Sequence, residues 1–140
     1  MASADCGEVL VVEDDASIRR LLGTTFRRDG VQVTAAKDGV EAVEALQKRP
    51  FRVVVLDLMM PRMNGWDVID WLRDHPSEKP RTLIVVSAAS RDVLSELDPE
   101  VVNAIVFKPF NVYELSGYVK GCCNAPIVAD RRRRRIISAT

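Results

Sequence analysis

The 140-residue sequence predicts an α/β domain, a five-stranded parallel sheet covered by helices on both faces. Three observations carry that prediction. Continuous apolar runs of four or five residues recur along the chain, the pattern of strands buried on both faces. Each run is followed by a segment whose apolar residues fall at helical spacing. Three of the runs also end in charge: Glu13-Asp14 after Val9-Leu10-Val11-Val12, Asp57 after Val53-Val54-Val55-Leu56, and Lys108 after Ile105-Val106-Phe107. In a parallel sheet these ends meet at the carboxyl edge, where open α/β sheets bind ligands.

The strands are expected at Val9 to Glu13, Val31 to Ala35, Val53 to Asp57, Thr82 to Ser87 and Ala104 to Phe107. In the first helix Ile18, Leu21, Leu22, Thr25 and Phe26 form one stripe toward the sheet, while Arg19, Arg20, Arg27 and Arg28 stay in water. Gly30 stops it. The second helix turns Val40, Val43 and Leu46 inward and ends at Arg49-Pro50, because proline disfavours helical geometry in the residue before it. The third runs from about Gly65 to Asp74 on Val68, Ile69 and Leu72. The fourth, Asp92 to about Leu97, is cut short by Pro99. Asn111 caps the last helix, with Glu114 placed for a capping box and Leu115, Val119 and Cys122 inward.

Composition bounds the rest. The length suits one domain. Twenty basic residues balance twenty acidic ones, but five of the basic ones are the run Arg131 to Arg135, and without it 15 face 20. A mildly acidic body argues against a nucleic-acid face, leaving only that run for contact with an anionic partner. No apolar stretch approaches the roughly 20 residues that span a bilayer, and Met1 to Glu8 carries neither a basic start nor an apolar core, so a cytoplasmic protein without a membrane partner is expected. Cys6, Cys122 and Cys123 with the lone His75 lack the spacing of a zinc site and read as reduced thiols.

Four motifs stand in order: Val11-Val12-Glu13-Asp14-Asp15, the stretch from Leu56-Asp57 through Met59-Met60-Pro61 to Asn64-Gly65, the pair Ser87-Ala88, and Phe107-Lys108-Pro109-Phe110. Together they resemble the CheY-like receiver domain of two-component response regulators, over residues 8–123, with 124–140 left as a basic tail or the start of a linker. The resemblance implies a doubly wound sheet of order 2-1-3-4-5 with about five helices. It further implies that Asp57 accepts a phosphoryl group and that Lys108 pairs with a phosphoryl oxygen. Ser87 would follow the new group. Mg²⁺ would be held by Asp14, Asp57 and the backbone carbonyl of Met59, with Glu13 bound through water. No other cofactor is implied. Such a domain catalyses only its own phosphorylation and dephosphorylation.

The sequence departs from the family pattern in places. Three residues before Lys108, where an aromatic usually serves as the switch partner of the hydroxyl residue, stands Ile105. The usual glycine-alanine-acidic turn ahead of the last strand is replaced by Glu100-Val101-Val102-Asn103-Ala104. Met59 and Ala89, which flank the position of an attacking water, carry no polar group.

The leading functional reading is a phosphorylation-dependent switch in a phosphorelay. Its partners would be a sensor histidine kinase or histidine phosphotransfer protein and a downstream effector or output domain, and the face from the fourth helix to the fifth would serve a homodimer. A stand-alone regulator, a relay shuttle and a receiver belonging to a longer protein all remain open. A pseudo-receiver that binds partners without phosphorylation is the alternative. More remote is an aspartyl-phosphate hydrolase, which would need a second acid where Met59 stands.

Overall fold

A computed structural model describes residues 8–124 and 135–137. Strand and helix alternate: β1 (Glu8–Val12), α1 (Ala16–Arg28), β2 (Gln32–Ala36), α2 (Gly39–Lys48), β3 (Val53–Asp57), α3 (Gly65–Asp74), β4 (Thr82–Ser87), α4 (Arg91–Leu94), β5 (Ala104–Phe107), α5 (Val112–Asn124) and β6 (Arg135–Ile137). All strand pairings are parallel. The predicted order 2-1-3-4-5 is present, and β6 extends it beyond β5. Arg135, Ile136 and Ile137 pair with Ala104, Ile105 and Val106. Three residues of the expected tail are therefore strand, and Arg131 to Arg134 lie outside the described residues. The β-branched pair Ile136-Ile137 behind the arginines supplies the strand propensity.

Alternation of side chains across the strands divides the core into two layers. Leu10, Val12, Val54, Leu56, Leu83, Val85 and Ile105 pack with α2, α3 and α4. Val9, Val11, Val53, Val55, Ile84, Val86, Ala104 and Val106 pack with α1 and α5. Every residue of β3 is buried, which is why its sequence reads as an unbroken apolar run closed by one acid.

The helix ends follow the sequence closely. Asp15, Asp38, Asn64 and Ser90 cap α1 to α4 with side-chain oxygens, and the Asn64–Asp67 pair forms a reciprocal capping box. Asn111 accepts from the N–H groups of Tyr113 and Glu114 at the start of α5. Gly30, at φ 87°, provides the left-handed residue after α1.

The expected inward stripes need three corrections. Leu21 is half exposed, because Leu22, Gly23, Thr25 and Phe26 already fill the buried arc of α1. In α2 the buried residues are Gly39, Ala42 and Leu46, with Val40 and Val43 at the margin. On α5 the fully buried cysteine is Cys123, two whole turns beyond Leu115, and Cys122 is half-buried. Cys123 is disulfide-bonded, contrary to the expectation of reduced thiols. α4 is a single turn, shorter than expected, since Ser95 to Asp98 leave the helix ahead of Pro99. Among the described residues no helix is long and apolar enough to cross a membrane.

Candidate phosphoacceptor site

The carboxyl ends of β1, β3 and β5 bring the charged residues together. Glu13 follows β1, its backbone N–H held by the Ala36 carbonyl at 3.0 Å. Asp57 ends β3 and Lys108 follows β5. Glu13 and Asp57 are almost completely buried, at 2% and 3% exposure, whereas Asp14 faces solvent. One carboxylate oxygen from each of the three acids lies within 4.8 Å of the others. The ammonium of Lys108 is 3.3 Å from Glu13 Oε1 and 3.4 Å from Asp57 Oδ2. The peptide bond from Lys108 to Pro109 is cis.

Three carboxylates against one ammonium leave negative charge uncompensated around two buried acids. The carboxyl pKa values are displaced in the direction that excess dictates. Burial, followed by the charge of Asp57, pushes the Glu13 carboxyl up to about 7 against the opposing pull of the Asp15 N–H and Lys108. Burial also raises Asp57, while Lys108 and the Met59 N–H, 3.2 Å from Asp57 Oδ1, work the other way. Burial disfavours the Lys108 ammonium, but Asp57 and Glu13 together outweigh it and hold its pKa above the usual value. An all-oxygen, acid-rich set with a charge deficit fits a hard divalent cation such as Mg²⁺.

Around the acids, loops set the shape. Asp14 and, from the loop after β3, Leu58 to Pro61 and Asn64 line an open cleft of about 310 Å³. That loop closes onto α3 through the Gly65 N–H, which donates to the Leu58 carbonyl at 3.0 Å. A Cβ at Gly65 would sit 2.5 Å from the Asp57 carbonyl oxygen, so only glycine lets helix and strand end approach this closely. At the end of β4 the fully buried Ser87 accepts a hydrogen bond from the Ala89 N–H at 3.0 Å.

A family model described as a response regulator receiver domain matches residues 9–120. The chain belongs to the response regulator receiver family. It is 35% identical over 113 residues to a probable transcriptional regulator, ycf27, of Porphyridium aerugineum, covering 81% of this chain and 46% of that protein. The chain thus spans about half the length of the curated relatives it matches. Among solved structures, a Francisella response regulator receiver domain superposes with a TM-score of 0.76 at 30% identity, covering 83% of this chain and 95% of that one. The response regulator TrrA of Thermotoga maritima, solved in complex with Mg²⁺-BeF, superposes with a TM-score of 0.70 at 29% identity, covering 82% and 97%.

Within this receiver the expected site residues divide into two groups. Glu13, Asp14, Asp57 and Lys108 converge, and Ser87 lies on the neighbouring strand, one position beyond the Val86 that pairs with Asp57. Met59 lines the cleft and is 64% exposed. Ile105 stands apart, 2% exposed in the core layer beneath α4.

Other residues at the margin gave no advance signal. Arg19, expected only as a wet residue of α1, reaches back so that Nη1 donates to the carbonyls of Glu13 at 2.8 Å and Asp14 at 3.2 Å, bracing the acidic pair. Arg91 lies over the Phe107 ring, 4.6 Å from its centre. Asp38 is buried and paired with Arg62 of the loop after β3. The last two contacts join residues that only the folded chain brings together.

Proposed function

We propose that this receiver is a phosphorylation-dependent switch of a two-component phosphorelay, with Asp57 as the phosphoacceptor. The observation that carries the reading is the convergence of Asp57 with Glu13 and Asp14 within 4.8 Å and with Lys108 at 3.4 Å. An Asp57 carboxylate oxygen attacks the phosphorus of a donor in line. A new O–P bond forms as the bond from phosphorus to the leaving group breaks, and that group departs with the electron pair and takes up a proton. Little covalent work falls to the protein beyond positioning and charge compensation.

Each neighbouring residue has a task in this reading. Lys108 leaves its contact with Asp57 to pair with a phosphoryl oxygen. Ser87 turns its hydroxyl from the Ala89 N–H toward the new group. Bound Mg²⁺, held by Asp14, Asp57, the Met59 carbonyl and Glu13 through water, would neutralise charge on the transferring phosphoryl group. The Mg²⁺-BeF complex of TrrA supports that ligand class. The physiological donor is a phosphohistidine of a sensor kinase or phosphotransfer protein, and the phosphorylated state shifts affinity for an effector or output domain. The receiver unit is residues 8–123. Catalysis extends only to its own phosphoryl gain and loss.

Incubation with Mg²⁺ and a small acyl or amidyl phosphate should add one phosphoryl mass to the intact protein. That adduct should vanish in Asp57→Asn and under EDTA. An undiminished adduct in either case would overturn the assignment.

A further inference from the structure

Asp38 is a buried acid outside the phosphoacceptor site, and Arg62 is a bulky residue in an unfavourable backbone conformation. At φ 62° Arg62 occupies the left-handed region, which side chains of its size adopt only at a cost. Its guanidinium Nη1 reaches Asp38 Oδ2 at 3.4 Å, and the Asp38 side chain is 3% exposed. The other oxygen of Asp38 accepts from the Glu41 N–H at 2.9 Å and caps α2. Beside this pair the Gly39 N–H donates to the Met63 carbonyl at 2.7 Å. A Cβ at Gly39 would collide with that same carbonyl. The turn before α2 and the outer bend Pro61–Arg62–Met63 are thus locked by one charged contact, one backbone hydrogen bond and an approach open only to glycine.

The bend belongs to the loop that lines the cleft beside Asp14. Its inner end is fixed to Asp57 through the Met59 N–H, and its far end to α3 through Gly65. Between those anchors the contacts to Asp38 and Gly39 hold the middle.

We propose that Arg62 and Asp38 are positioning residues for the divalent cation: their ion pair pins the loop after β3 against α2 and so holds the Met59 carbonyl in register with Asp14 and Asp57. The proposal rests on the metal-dependent reading above. Arg62 accepts its backbone strain because no glycine could carry the guanidinium that reaches Asp38.

The test is Mg²⁺ titration by calorimetry on the metal-free full chain, with thermal melts alongside. Arg62→Gly removes the latch while relieving the left-handed strain, and Asp38→Asn keeps an N-capping oxygen while removing the charge. Each variant should weaken Mg²⁺ binding about tenfold, the low end of what losing the support of a metal ligand costs. The double variant should bind no more weakly than either alone, since both remove one contact. The melting temperature of Arg62→Gly should be unchanged or higher, and Arg62→Lys should recover part of the affinity. Dissociation constants within twofold of wild type in both single variants, alongside binding lost in Asp14→Ala, would overturn the latch and leave the metal site standing. A lowered melting temperature with unchanged affinity would overturn it likewise. No Mg²⁺ binding by the wild type, or equal binding by Asp14→Ala, would overturn the metal reading itself.

Discussion

Glu13 is a carboxylic acid held where its charge is costly. Burial and the neighbouring Asp57 raise its folded pKa to about 7 from an ordinary 4.5. A raised folded pKa means that the folded state binds the proton more tightly than the unfolded chain. The resulting stabilisation is complete below about pH 4.5 and is lost as pH rises through 7, with a ceiling on the order of 3 kcal/mol. Asp57, also raised, acts in the same direction. In metal-free buffer, Glu13→Gln should therefore melt close to wild type near pH 5 and several degrees above it near pH 8. Mg²⁺ should restore wild type most at the higher pH, where Glu13 has lost its proton. Parallel pH–melting curves for the two proteins would refute the assignment of this titration to Glu13.

Among the elements, the loops that follow β3 and β4 would, on the proposed function, decide how long a phosphoryl group lasts. Met59 projects into solvent and Ala89 is half-buried on the other side, and neither has a polar side-chain atom to hold a water in line with phosphorus. Decay of the phosphorylated protein should accordingly be slow, and Met59→Asn combined with Ala89→Glu should speed it by about a hundredfold, the low end for a positioned polar group in proton transfer. Intact mass followed over time measures it, and equal decay rates would end the argument.

How legible each element was depended on how local its cause is. β3, β4 and β5 fall where their apolar runs lie, because strands buried on both faces leave no polar residue to blur the ends. The acids and the lysine at the site could be read for the same reason, as charges that close such runs. Helix faces were less legible: thirteen residues of α1 offer more apolar positions than the sheet can cover, and Leu21 is the one left outside. The bracing arginines, Arg19 and Arg62, had no signature, since their partners are backbone carbonyls and a distant acid. β6 was hidden because an arginine run reads as solvated tail while the pairing that recruits it lies about thirty residues upstream.

At the scale of the molecule, β6 works as a selvedge, the bound margin that keeps a woven cloth from fraying. Without it the outer side of β5 would present a row of unpaired amides and carbonyls between the α4 layer and the α5 layer, a template on which another chain could build. A homodimer through the surface from α4 to α5 would have to form beside this strand or displace it. A version of the protein ending at Asn124 should therefore self-associate with rising concentration in analytical ultracentrifugation, whereas the 140-residue chain should do so less. Identical sedimentation of the two would deny β6 that guarding part. If the strand can be displaced, the residues that finish the sheet are also the ones that decide whether two copies can be stitched together along it.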